Sequence, residues 1–347
     1  MRFLVIGARG FVGGAVMRRL LRNGDDVHAL VRSKSDLARL PNSVAGFLGD
    51  VRDPNTVAEA AKGCAVVVHA AGLTDGSVPE EELRWTHVAG TENVLHAARH
   101  AGCERLVLIS TTDVTLGDTD RVHWNEDRRM PQPPVGAFAQ SKQLAEDIAL
   151  ASSDKALEVV ALRAAWLWGA GDHDRLATFC KPIFSDGFRL VGKGENLFDT
   201  THIDNLAEAV LAASEASSVA GRAYHITDSE FRSSAAFLQD FSRSLGIPAP
   251  QPGPPIQLAR ATAWARTWLQ KDPLALPEFL RWGRSTAVDT QRARTDLEWE
   301  PHVTHASGLE ELADWVNTQG GIGTVVHSLL PFRPVRSRTA TPTKRYG

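Results

Sequence analysis

Residues 1–22 read MRFLVIGARGFVGGAVMRRLLR. Arg2–Ile6 is a short apolar run, and Gly7, Gly10 and Gly13 follow it as G-x-x-G-x-x-G. Phe11–Arg22 then carries apolar residues at helical spacing. Strand, glycine turn and helix in this order let a diphosphate approach backbone N–H groups at a helix N-terminus, because glycine permits the tight turn and has no Cβ to stand in the way. The spacing alone is a weak signal; a strand before it and a helix after it supply the context it needs. Gly7, Arg9, Gly10, Phe11, Val12 and Gly13 are therefore the first candidate dinucleotide contacts.

Further strands are expected at Asp26–Val31, Ala65–Ala71, Leu106–Ser110 and Glu158–Arg163, with helical patterns at Thr56–Lys62, Trp85–Ala101 and Ala139–Ala151 between them. This alternation predicts an α/β protein with a Rossmann-type doubly wound parallel sheet. After about residue 165 the rhythm loosens, with GIPAPQPGPP at 246–255 and helical patches at Ile256–Gln270 and Gly308–Asn317. The expected organisation is a nucleotide-binding domain over 1–165 to which segments around 200–228 return, a smaller C-terminal substrate lobe over 166–317, and a basic tail over 318–347.

The 347 residues are 43% hydrophobic and 23% charged, values of an ordinary globular chain that exclude disorder or coiled coil as the main architecture. A formal net charge of -3 argues against a nucleic-acid binder. The 3 cysteines are far apart, which excludes a disulfide framework or a cysteine-rich metal site and fits a reducing, cytoplasmic setting. The N-terminal apolar run is too short for a signal peptide, and no apolar stretch reaches the roughly 18 residues of a membrane span. The tail holds Arg333, Arg336, Arg338, Lys344 and Arg345 and no acid; it reads as a flexible segment or as a peripheral contact for an acidic partner or anionic membrane.

The second strand ends Leu30-Val31-Arg32-Ser33, without the acidic residue that would bind the 2′-hydroxyl of NAD. Arg32, with Arg9 and Lys34 near it, suits a 2′-phosphate through paired N–H donors, so NADP(H) is expected over NAD(H). Asp50, before Val51, either accepts from an adenine amino group or simply closes a turn before Pro54. No metal-ligand cluster, serine-hydrolase elbow or Walker loop is evident.

These motifs resemble the extended short-chain dehydrogenase/reductase family over about residues 1–317. The resemblance rests on GARGFVG at 7–13, GDVRD at 49–53, VVHAAG at 67–72, GTENVLHAA at 90–98, LVLISTT at 106–112, SKQLAE at 141–146, HIDNLAEA at 202–209 and AYHITD at 223–228. It is nearest the 3β-hydroxysteroid dehydrogenase and sterol dehydrogenase branch, with dihydroflavonol reductase-like and sugar-nucleotide epimerase branches as competitors. The resemblance implies that Ala70, Ala71 and Gly72 line the cofactor and that His69 packs beside it. It further implies that Lys142 binds the nicotinamide ribose, that Thr112 steadies the substrate oxygen (Ser110 and Thr111 being close alternatives), and that the chain forms a homodimer.

The family's tyrosine, four residues before the lysine, is Phe138 here, so the usual general acid is missing. The chain's two tyrosines, Tyr224 and Tyr346, lie elsewhere in sequence. The family's N-V-x-G-T is His87-Val88-Ala89-Gly90-Thr91, and its Leu-Arg-Pro is Leu162-Arg163-Ala164. His87 is a substitute acid/base candidate, since imidazole titrates near neutrality, or a histidine bonded to backbone. Asp113 and His123 are similar candidates, and His202 is expected to be structural.

On the substrate side stand Trp166, Trp168, Phe179, Phe184, Phe188, Trp264, Trp268, Phe279 and Trp282, with Arg175, Lys181, Arg189 and Lys193 as available charge. Trp264 and Trp268, i and i+4, either pack on the domain or form an apolar substrate wall or membrane-facing patch. The expected function is an NADP(H)-dependent oxidoreductase acting on a hydroxyl or ketone of a hydrophobic small molecule, steroid- or terpenoid-like, with an altered proton relay. The alternatives are a dinucleotide-binding regulatory protein and a non-redox lyase, isomerase or cyclase.

Overall fold

The computed structural model describes residues 1–73, 78–128, 133–173, 189–269 and 271–327, together with Leu176 and Cys180. Seven parallel strands form one sheet: β1 (Arg2–Ile6), β2 (Asp26–Val31), β3 (Val44–Leu48), β4 (Val66–His69), β5 (Arg105–Thr111), β7 (Glu158–Ala164) and β8 (Arg222–Ile226), with the two-residue β6 (Arg121–Val122) outside it. Their spatial order is β8-β7-β5-β4-β1-β2-β3, so the chain runs outward from β1 in one direction and then in the other. The crevice beside the C-terminal ends of β1 and β4, where the direction reverses, is where such sheets bind ligands. The expected Rossmann-type doubly wound sheet is the one observed.

Alternation along each strand sorts the core. Phe3 and Val5 of β1, with Val66 and Val68 of β4, enter the apolar cluster on one face. Leu4, Ile6 and Val67 enter the cluster on the other, as period-two geometry requires of strands buried on both sides. The first face is covered by α1 (Phe11–Arg22) and by the helix Ile203–Glu215, the second by α3 (Pro54–Ala61) and α5 (Gly90–Ala101). Local signals set several boundaries. Asp53 caps α3 and Pro54 opens it; Gly102, left-handed at φ 72°, closes α5. The short helix α2 (Lys34–Leu37) is capped by Ser33, which accepts from the Asp36 N–H.

Three expectations change. No strand was expected between Asp26–Val31 and Ala65–Ala71, yet Val44–Leu48 is β3, the edge strand. The single helix expected over Trp85–Ala101 is α4 (Glu80–Arg84), a π-helical segment (Trp85–Ala89) and α5. The chain also stays packed beyond residue 318: helix Ile322–His327 buries Val325 and Val326 in a third apolar cluster with Trp168, Phe237 and Leu312. Residues 328–347, which hold the five basic side chains of the tail and Tyr346, lie outside the described residues, as do Arg175, Phe179, Lys181, Phe184 and Phe188. No helix among the described residues is long and apolar enough to cross a membrane.

Candidate active site

The glycine loop is built by backbone contact. Gly7 sits at φ 83°, and a Cβ there would lie 3.0 Å from the Ala71 backbone nitrogen. A Cβ on Gly13 would come within 2.2 Å of the Gly7 carbonyl oxygen and 2.6 Å of its carbon. Gly10 and Arg9 are exposed, and α1 begins at Gly10 with no side-chain cap and no acid in its first turn. An anion is therefore met by unpartnered N–H groups and the positive end of a helix dipole. These features fit a dinucleotide diphosphate. Gly13→Ala is expected to abolish measurable NADPH binding in a fluorescence titration, because backbone, which cannot swing aside, occupies the place of the new methyl.

At the adenosine end, Arg32 is exposed and has no carboxylate within ion-pair reach among the described residues, whereas Arg9 lies 3.8 Å from Asp36. Asp50 is bonded within its own turn. Its Oδ1 accepts from the Arg52 N–H and Nε–H, both at 2.9 Å, and its Oδ2 from Nη2 at 3.2 Å. Burial raises the Asp50 carboxyl, and the Arg52 hydrogen bonds more than offset it, holding the group below its usual range. Val51 is a core residue that packs under Gly90, where a Cβ would meet it at 3.0 Å.

The nicotinamide end is organised by helix α6 (Ala137–Ala151). Phe138 and Lys142 stand one turn apart on it, at i and i+4. Lys142 Nζ donates to the Ile109 carbonyl at 2.7 Å, and burial pulls its ammonium down to about 8, against the opposing pull of Glu146. One turn further, Glu146 is fully buried and takes a bidentate ion pair from Arg163, with Nη2 at 2.6 Å and Nε at 3.0 Å. Ser110 donates to the same carboxylate, and the Thr111 hydroxyl accepts from the Asp113 N–H at 3.2 Å. Thr112 is left: its hydroxyl has no hydrogen-bond partner among the described residues. Of the three neighbouring hydroxyls, Ser110 has its proton committed, whereas Thr112 and Thr111, which only accepts, keep theirs for a substrate oxygen.

His87 is brought to this site but is fully engaged. The π-helical segment turns it inward to 2% exposure, edge-on to Phe138 with ring centroids 5.7 Å apart. The Ser141 hydroxyl lies within hydrogen-bond distance of the Phe138 carbonyl, and His87 Nδ1 pairs with Ser141 Oγ at 2.9 Å. His87 Nε2 lies 3.1 Å from the Leu73 nitrogen and 3.2 Å from the Leu73 carbonyl oxygen. Burial, helped by the Lys142 charge, holds the ring down at about 3, so it is neutral near pH 7. These contacts match the second of the two sequence readings, a histidine bonded to backbone: His87 links Leu73 to α6. His69, also held at about 3 by burial, contacts Thr91 at 3.2 Å.

Other candidates are similarly committed. Asp113 accepts from Arg281 at 2.7 Å, and His123 lies on the surface edge-on to Phe231. Tyr224 donates to Asp296 at 3.1 Å, far in sequence from α6. His202 Nδ1 accepts from the Asp204 N–H at 3.3 Å, capping its helix; His202, Asp204 and Glu311 are also the one group of metal-ligating type among the described residues. Trp166, Phe198, Phe237 and Trp282 form one aromatic cluster, and Trp168 Nε1 donates to buried Asp228. Sequence reasoning missed Arg121. It is 2% exposed and reaches the Thr112 carbonyl at 3.0 Å and Thr115 Oγ1 at 2.9 Å, so it locks the turn that presents Thr112. Its strand, β6 (Arg121–Val122), is two residues long, too short for any periodic signal.

The chain is an extended short-chain dehydrogenase/reductase, an NAD(P)-dependent oxidoreductase, as its family model and its relatives show. Within that class, the chain belongs to the 3-beta hydroxysteroid dehydrogenase/isomerase family, whose family model matches residues 4–256. It is 32% identical over 320 residues, covering 90% of this chain and 96% of the relative, to a 4-hydroxy-2-methyl-3-oxo-4-farnesyl-3,4-dihydroquinoline-1-oxide ketoreductase of Stigmatella aurantiaca. It is 31% identical over 332 residues, covering 90% and 98%, to a 2-alkyl-3-oxoalkanoate reductase of Stenotrophomonas maltophilia. In fold it is similar to MoeE5 in complex with UDP-glucuronic acid and NAD, with a TM-score of 0.73, 23% identity, and coverage of 92% of this chain and 100% of that one.

Proposed function

We propose that the chain is an NADPH-dependent ketoreductase that reduces the carbonyl of a hydrophobic small molecule. The observation that supports the reading is the Lys142 ammonium of α6 held against the Ile109 carbonyl of β5, the strand that runs directly into the Thr112 turn. The glycine loop and α1 would hold the diphosphate, Arg32 the 2′-phosphate, and Lys142 the nicotinamide ribose. Bound NADPH supplies the hydride. The chain's own part is to orient the carbonyl through a Thr112 hydrogen bond and to hold on Lys142 the proton that its oxygen receives. On the family resemblance Phe138 would stand in place of the family's acid, where its ring would limit water. The substrate class is inferred from the names of the two reductases above, both of which act on oxo compounds with hydrocarbon chains.

The test is titration with NADPH and NADH, followed by turnover of a 2-alkyl-3-oxoalkanoate and a 3-ketosteroid at 340 nm. Selective NADPH binding with oxidation of the cofactor is the expected result. Arg32→Ala is expected to weaken NADPH binding by about 10-fold or more, the value of a charge-assisted phosphate contact, while leaving NADH binding nearly unchanged. Phe138 also motivates a second reading, a dinucleotide-responsive regulatory protein; cofactor-linked turnover excludes it, and binding without turnover of any carbonyl favours it.

A further inference from the structure

The helix Ile256–Leu269 is apolar on two opposite sides. At about 100° per residue, Ile256, Ala259 and Ala263 share one side. They pack on Leu116, Val135 and Phe279, over the segments that lead from Thr112 and into Phe138. Leu258, Trp264, Trp268 and Leu269 share the other side and are 54%, 55%, 65% and 75% exposed. They are four of the nine large hydrophobic side chains exposed among the described residues, and all four lie on this one helix. An apolar patch so concentrated marks a contact surface.

The charges around the patch select its occupant. Residues 256–269 contain two arginines and no carboxylate. Arg260 and Arg266 lie on the two seams between the inner and outer sides, each more than half exposed. Their carboxylate partners, Asp118 and Asp272, are off the helix, and surface pairs of this kind hold their members loosely. Two-fold packing of this face on a second copy would set guanidinium against guanidinium along both seams. A bilayer offers the complement: acyl chains for the tryptophans and leucines, and phosphates at the depth of the seams, where arginines snorkel and tryptophans favour the interface.

We propose that the outer face of helix Ile256–Leu269 docks on an anionic lipid surface, seating the enzyme with its substrate side toward the membrane. The surface is separate from the residues assigned to catalysis, so its test is independent of the ketoreductase reading. The full chain is mixed with phosphatidylcholine vesicles, with and without phosphatidylglycerol, and sedimented. Quenching of tryptophan fluorescence by lipids brominated in their acyl chains is read in parallel. The wild type is expected to sediment with the anionic vesicles and to be quenched. Trp264→Ser/Trp268→Ser should lose about tenfold or more of the partition and most of the quenching, and Arg260→Gln/Arg266→Gln should lose the preference for anionic lipid. Leu258→Ser/Leu269→Ser gives the same reading without touching an aromatic ring, and circular dichroism checks that each variant is folded. Three results overturn the proposal: no binding of the wild type to either vesicle; tryptophan variants that bind like the wild type, which assigns the contact to the basic segment 333–345; or a dimer in sedimentation equilibrium that these substitutions break, which makes a second copy the occupant.

Discussion

Phe138→Tyr is expected to raise carbonyl reduction by about 10²-fold or more, the usual contribution of a positioned general acid. Phe138 is one turn before Lys142 on α6, partly exposed to the crevice, and its ring is already held edge-on by a histidine fixed at both nitrogens. The substitution adds only a hydroxyl at the far end of that ring. The neighbouring ammonium would lower the pKa of the new phenol, and Thr112 would face the same substrate oxygen. The measurement is kcat with NADPH and an oxo substrate for both proteins. An unchanged or lower rate would mean that the crevice has been rebuilt around phenylalanine, and would weaken the reductase reading itself.

Lys142→Met is expected to lower kcat by about 10²-fold or more, with a smaller loss of NADPH affinity. If Lys142 holds the transferred proton, wild-type kcat is flat at low pH and falls as pH rises through about 8, because burial has lowered the ammonium's pKa and the charged form is lost above it. His69 and His87, held at about 3, contribute no step between pH 5 and 8. The same fall persisting in Lys142→Met would place the proton on another group.

The fold was legible because its deciding signals are local. The glycine spacing after β1, alternation in buried strands and the capped helices each need only a few adjacent residues. The edge strand β3 was not read as a strand because its apolar run is short and broken by Gly46, and most of its side chains face solvent. At the site, the residue types were visible but their commitments were not. From sequence His87 is either an acid/base candidate or a histidine bonded to backbone; only the inward turn of the π-helical segment shows Leu73 and Ser141 as its partners. Asp113 read as a possible relay until Arg281, 168 positions away, was found on it. Likewise, Trp166 and Trp264 are the same residue in similar apolar surroundings along the chain. Packing of distant segments puts one into an aromatic cluster and leaves the other in solvent.

Helix α6 has a partner on each successive turn: His87 at Phe138 and Ser141, the Ile109 carbonyl at Lys142, and Arg163 with Ser110 at Glu146. Such a helix behaves as one lever with several fixed points, so a change at any of them is felt at the others. Free-energy effects of substitutions along it should be coupled, and a double variant at Phe138 and Lys142 will not show the sum of the two single effects. A residue-by-residue partition of catalysis is therefore not a property this site possesses.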